Sequence, residues 1–193
     1  MSVQRAFQQL LDALILLEIP YMVGGSLASS VHGVFRSTND IDIVAGLQDR
    51  HIMPLAAELT EDFYTDIETM RDALFHGRPF NVIHFASGYK FDIFPVAGDP
   101  YHQMQLERCS LQEIMLGEGE SNRCSLATAE NIALAKLVSY RAGGEQSERQ
   151  WNDVRGIRTV QGNPLDQTYM RRCARDLGVD DLLERLRSEG EHS

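Results

Sequence analysis

Tyr21-Met22-Val23-Gly24-Gly25-Ser26, separated by thirteen residues from Asp40-Ile41-Asp42-Ile43, is the stretch on which the fold turns. Three apolar residues cut off by two glycines make a short buried strand ending in a tight turn. The small residues from Ser26 to near Gly33 continue as a helix. Asp40 to Val44 alternates acid with branched aliphatic, the two-residue period of a strand. Side chains two apart share a strand face, so Asp40 and Asp42 project together while Ile41 and Ile43 enter the core. Two carboxylates held that close repel unless a proton or a cation stands between them. All-oxygen ligation suits Mg²⁺ or Mn²⁺. At the turn, the missing Cβ lets the backbone amides of Gly24 and Gly25 approach a phosphate, and the helix N-terminus adds partial positive charge. Ser26 is placed to cap that helix or to donate to a phosphate oxygen. Arg36, Ser37 and Thr38 add donors just ahead of Asp40. A glycine pair alone is a turn, and an Asp-x-Asp pair alone is a solvated strand face. The order of strand, Gly-Gly-Ser, helix and Asp-x-Asp strand carries the information.

Outward from this stretch, Val3 to Glu18 places Phe7, Leu10, Leu11, Leu14 and Leu17 on one arc, predicting an amphipathic helix stopped by Pro20. Helices are predicted over Asp49 to Leu59 and Ile67 to Leu74. Phe80 to Phe85 and Lys90 to Val96 read as strands of a hairpin. Between 97 and 127 the pattern yields only a turn at Asp99-Pro100 and a polar loop from Gly117 to Asn122. From Thr128 onward four helices follow: Glu130 to Arg141, Glu145 to Val160, Asp166 to Leu177 and Asp180 to Arg187. The expected organisation is an α/β core over residues 1–127 and a C-terminal helical region over 128–193.

Composition bounds the functions open to such a chain. It has 193 residues, 43% hydrophobic and 24% charged, enough to bury a sizeable core. Residues 1–129 hold 17 acids against 8 basic groups and residues 130–193 hold 11 against 10, so the net charge of −10 sits almost wholly in the first part. Such a surface repels phosphate backbones, and no broad nucleic-acid binding is expected. No apolar run approaches the roughly 20 residues a membrane helix needs, and the N-terminus reads as an amphipathic pattern, not a signal peptide. Three scattered cysteines, Cys109, Cys124 and Cys173, fit a reducing cytoplasm. The basic groups are arginines except Lys90 and Lys136. No phosphate loop, dinucleotide fingerprint, zinc-binding histidine pattern or serine nucleophile elbow is present.

The Gly-Gly-Ser and Asp-Ile-Asp motif resembles that of the nucleotidyltransferase superfamily of the DNA polymerase β type. That resemblance implies a nucleotidyltransferase fold, a mixed β-sheet flanked by helices, here followed by a C-terminal helical bundle. It also implies a third carboxylate on a later strand, for which Phe91-Asp92-Ile93-Phe94 supplies Asp92. An ion pair with Lys90, which shares its face, is the alternative role for Asp92. Glu130 to Leu137 is similar to the helix of AbiEii-type nucleotidyltransferases that carries a lysine for the triphosphate, here Lys136. Arg149-Gln150-Trp151-Asn152-Asp153 is similar to that family's next motif, with Gln150 where an acid is expected and Asp153 retained. Leu134 and Leu137 lie on one arc and Lys136 on another, which predicts a semi-buried lysine needing an anionic partner or a route to water.

The expected function is metal-dependent transfer of a nucleoside monophosphate from an NTP to a hydroxyl, with release of pyrophosphate. Asp40, Asp42 and Asp92 are the expected catalytic residues and ligands of Mg²⁺ or Mn²⁺. Gly24, Gly25, Ser26, Arg36, Lys136 and Asp153 are the expected nucleotide contacts. The acceptor stays open among a small molecule, a tRNA end, for which Arg141, Arg149, Arg155 and Arg158 form a local basic patch, and a protein side chain. The alternative is a non-catalytic nucleotide-binding or regulatory module, such as one component of a toxin–antitoxin pair.

Overall fold

The computed structural model describes residues 3–35, 38, 40–96, 100–116, 121–162 and 164–190. The chain divides into two compact units, one of residues 1–27 and 38–127, the other of residues 28–37 and 128–193.

The first unit is built on a sheet. Its strands are β1 (Tyr21–Val23), β2 (Asp40–Ala45), β3 (Phe63–Tyr64), β4 (Phe80–His84), β5 (Lys90–Pro95), β6 (Ser110–Met115) and β7 (Ser121–Leu126). They form one mixed seven-stranded sheet in the order β3-β4-β5-β2-β1-β7-β6. β2 runs antiparallel to β1 and parallel to β5, so the two strands that carry acids are central neighbours. Helices α1 (Val3–Leu16), α3 (Asp49–Leu59), α4 (Ile67–His76) and α5 (Pro100–Arg108) belong to this unit, as does the start of α2 (Gly25–His32).

The core follows from two periodicities. α1 buries Ala6, Phe7, Leu10, Leu11, Ala13 and Leu14. β2 and β5 bury alternate residues, among them Ile41, Ile43, Phe91 and Ile93. Phe7 stacks on Phe91, ring centroids 6.2 Å apart, joining the two patterns. Burying each of these rings contributes about 1.5–3 kcal/mol. Phe91 and Ile93 point into this core, so Lys90 and Asp92 emerge on the other face.

Caps decide where helices begin. Asp66 accepts a hydrogen bond from the Thr69 amide at 2.7 Å, which starts α4, and Gly77 in a left-handed conformation ends it. The predicted end at Leu74 is thus two residues short.

Three strands and a helix escape the sequence pattern. β6 is an edge strand with only Ile114 buried, so it shows no alternation. β7 turns Asn122, Cys124 and Leu126 inward, and the buried polar Asn122 breaks the apolar period. Its amide donates to the Gln4 carbonyl at 3.0 Å and to Gln8 Oε1 at 3.1 Å, which offsets the desolvation. The expected loop at Gly117 to Asn122 therefore ends in a strand, its residues 117–120 lying outside the described residues. β3 is two residues long, and α5 buries only Gln105 among its nine residues.

The second unit holds the end of α2 with α6 (Ala129–Ala142), α7 (Glu148–Gln161), α8 (Gln167–Asp176) and α9 (Asp180–Gly190). Thr128, Ser147 and Asp166 cap α6, α7 and α8 through side-chain oxygens. The Ser147 cap moves the start of α7 from the predicted Glu145 to Glu148, and Glu145 takes a positive φ of 62°. Leu134, Leu137, Val154, Ile157, Met170, Leu182 and Leu183 form its core. Tyr140, Trp151 and Tyr169 are buried with them.

Candidate active site

The glycine turn and the first acid strand are locked together by backbone contacts. Val23 of β1 pairs with Ile43 of β2, and the Gly24 amide donates to the Asp42 carbonyl at 2.9 Å. Gly25 opens α2 at φ +56°, in the left-handed region that favours glycine. A Cβ on Gly25 would fall 1.6 Å from Asp42 Oδ2. No other residue type can stand there while Asp42 keeps its place. The absent side chain is thus the seat of a carboxylate. Ser26 is buried in the first turn of α2. Thr38 donates its hydroxyl to the Asp40 carbonyl at 3.1 Å, and Arg36 lies outside the described residues.

Pairing of β2 with β5 sets the rest. Asp40 is opposite Lys90 and Asp42 is opposite Asp92. Paired residues in a sheet share a face, so all three acids and Lys90 stand on one side, away from Phe91. Lys90 Nζ lies 3.1 Å from Asp92 Oδ2 and 3.9 Å from Asp40 Oδ1. The hydrogen bond to Asp92, with the nearby charges of Asp92, Asp40 and Asp42, raises the Lys90 pKa against the lowering effect of burial. The Asp92 side chain is 19% exposed and that of Asp40 59%.

Sequence reasoning missed Asn81 of β4, which pairs with Asp92 from the other side and is exposed. It puts an amide on the acid face, and the hairpin register alone could have revealed it.

Among the described residues, no group of three or more His, Cys, Asp and Glu side chains is arranged to hold a metal ion. The donor chemistry nonetheless fits Mg²⁺ or Mn²⁺: three oxygen acids share one face, one of them seated against a Cβ-free turn. The positive charge that now serves them is the Lys90 ammonium.

In the second unit, Lys136 Nζ lies 2.8 Å from Asp153 Oδ2, with side chains 7% and 8% exposed. The lysine is more deeply buried than its sequence pattern predicts, and its anionic partner is a carboxylate of α7. The two residues singled out separately on α6 and α7 are one ion pair. Arginines of the expected basic patch are engaged as well. Arg141 pairs with Asp181 and Glu145, Arg155 with Glu189, and Arg158 donates to the Leu186 carbonyl.

No protein-family model matches the sequence, and no curated protein matches it. Solved structures do. The antibiotic-resistance factor ANT(2'')-Ia, in its solution structure, is 16% identical with a TM-score of 0.50, over 97% of this chain and 94% of its own. An antigenic nucleotidyltransferase-like protein from Paracoccidioides brasiliensis is 17% identical with a TM-score of 0.52, over 95% of this chain and 92% of its own. With its mixed seven-stranded sheet and its acids on adjacent central strands, the chain has the nucleotidyltransferase fold.

Proposed function

We propose that the chain is a metal-dependent nucleotidyltransferase that moves a nucleoside monophosphate from an NTP to an acceptor hydroxyl. The observation that carries this reading is the pairing of Asp42 with Asp92 across adjacent parallel strands, with Asp40 on the same face and Gly25 against Asp42. In the transfer, the acceptor oxygen bonds to the α-phosphorus and the bond from that phosphorus to the departing pyrophosphate oxygen breaks. Asp92 takes the hydroxyl proton as general base. Asp40, Asp42 and Asp92 would hold Mg²⁺ or Mn²⁺, which when bound offsets phosphate charge and acidifies the acceptor hydroxyl. The Gly25 turn and Ser26 cradle the phosphates at the start of α2, with Gly24 fixing that turn through its amide bond to the Asp42 carbonyl and Arg36 as a further donor. The resemblance to AbiEii-type enzymes carries Lys136 and Asp153 over as nucleotide contacts, and the two are paired with each other at 2.8 Å.

The acceptor we favour is a small hydroxyl compound. The net charge of −9 over residues 1–129 opposes a large RNA, and the engaged arginines of the second unit offer few free charges to an acceptor stem. No helix among the described residues is long and apolar enough to cross a membrane. Three unpaired cysteines support a cytoplasmic setting. A second reading, a nucleotide-binding regulatory module such as half of a toxin–antitoxin pair, draws support from the Lys90–Asp92 ion pair, which gives Asp92 a counter-charge without a metal.

Incubation with α-³²P NTPs, Mg²⁺ and a whole-cell extract, separated into RNA, protein and small molecules, tests the choice. Label in the small-molecule fraction, abolished by Asp92→Asn, is the expected result. No transfer to any fraction would favour the regulatory module.

A further inference from the structure

Lys90 stands where a cation is wanted. It faces Asp40 across β2 and β5, lies two residues from Asp92 on the same strand face, and touches both carboxylates. Asp42, the remaining acid, is opposite Asp92 and pressed against the Gly25 turn. Three carboxylates so placed repel one another, and the ammonium is the counter-charge that lets them stay together. A divalent cation seeking the same oxygens meets a positive charge already bonded to Asp92 and lying 3.9 Å from Asp40. We propose that Lys90 is a tethered counter-ion: it holds the acid face together in the metal-free protein and competes with divalent metal for Asp92 and Asp40. This rests on the metal-dependent reading above and adds a residue that sets when the metal loads.

The residue type suits the task. All but two of the 18 basic groups in the chain are arginine, and this one is lysine. A guanidinium grips a carboxylate through a rigid two-pronged fork, whereas an ammonium is a point charge on a flexible stem. The Lys90 side chain is 40% exposed, so the charge has a direct route into water once displaced. Free metal must therefore expel an ammonium before it binds, which lowers its affinity without closing the site.

The test uses the full chain, without nucleotide. Mn²⁺ binding is followed by electron paramagnetic resonance of the free ion in wild type, Lys90→Met and Lys90→Arg. Lys90→Met is expected to bind Mn²⁺ roughly tenfold more tightly than wild type, because removal of a neighbouring positive charge removes the competitor. Lys90→Arg is expected to bind no more tightly than wild type. In chelator, Lys90→Met should melt below wild type, and saturating Mn²⁺ should erase that gap. Unchanged or weaker Mn²⁺ binding in a folded Lys90→Met would overturn the proposal while leaving the metal site standing. No Mn²⁺ binding by either protein would overturn it together with the metal-dependent reading.

Wild type gives an independent measurement that needs no variant. Because Lys90 and Lys136 are the only lysines, isotopic labelling of lysine yields two side-chain signals. Addition of Mg²⁺ should move the Lys90 side-chain signal toward that of a solvated ammonium while the Lys136 signal holds still. A Lys90 signal unmoved at saturating Mg²⁺ sinks the idea.

Discussion

Asp42 and Asp92 stand directly opposite one another on neighbouring parallel strands, β2 and β5, held by a register that also pairs Asp40 with Lys90. Their approach is imposed by the backbone register and opposed by their mutual repulsion, so a neighbouring positive charge relieves a cost that the sheet has built in.

A ligand that neutralises them should consequently raise stability. Mn²⁺ and an NTP together are expected to increase the Tm more than the sum of their separate effects, because phosphate oxygens complete the coordination of the ion. Differential scanning fluorimetry measures this. Asp42→Asn should abolish the joint increment, and its survival in that variant would place the nucleotide elsewhere.

Gly25→Ala probes the turn. The added methyl meets Asp42 Oδ2 at 1.6 Å, and the φ of +56° strains any residue with a Cβ. A loss of about 1–3 kcal/mol is expected from the conformation and the displaced carboxylate. Urea melts report that loss, and Mn²⁺ affinity should fall with it. A variant that melts like wild type would mean that Asp42 has another comfortable rotamer.

The Lys136–Asp153 pair calls for a double-mutant cycle. Removing one partner strands a buried charge, so Lys136→Met or Asp153→Ala alone should cost about 3–5 kcal/mol. The double variant should recover much of that, since neither charge then remains. If Lys136 also meets the triphosphate, the double variant will be stable yet weak in NTP binding. Wild-type NTP affinity in that variant would confine the pair to a structural role.

Acid titration should expose the α4 cap. Hydrogen bonds from Thr69 hold the Asp66 carboxyl below its ordinary value of 3.8. A depressed folded-state pKa contributes stability above the unfolded value, and that contribution disappears as pH falls through the folded one. Asp66→Asn keeps a capping oxygen without the titration, so its stability should vary less than wild type below about pH 4. Parallel acid limbs for the two proteins would contradict the assignment.

How far the sequence reaches is set by the range of the interactions involved. The shared face of Asp40 and Asp42 was legible because a two-residue period is a property of the strand itself. The glycine turn was legible as a turn, but its steric reason, a carboxylate where Cβ would be, depends on a residue seventeen positions away. Asp92 was marked by its apolar neighbours, yet its register with Asp42 is a product of the sheet. Lys136 was expected to need an anionic partner or a route to water, and helix packing supplied Asp153. β6 and β7 stayed hidden because one is an exposed edge and the other buries an asparagine.

The central position of β2 and β5 has a kinetic consequence. With β1 flanking β2 over Ile43–Ala45 and β4 flanking β5 over Lys90–Ile93, the amide hydrogens of those spans are expected to exchange slowly, through large openings of the sheet. The Gly24 amide ties Asp42 on its β1 side, so the floor beneath Asp42 and Asp92 resists local fraying. What remains free to move on that face is the side-chain layer, where an ammonium and a carboxylate can separate on the nanosecond scale of rotamer flips. A rigid floor under a mobile charge lets the contents of the site change without the scaffold relaxing.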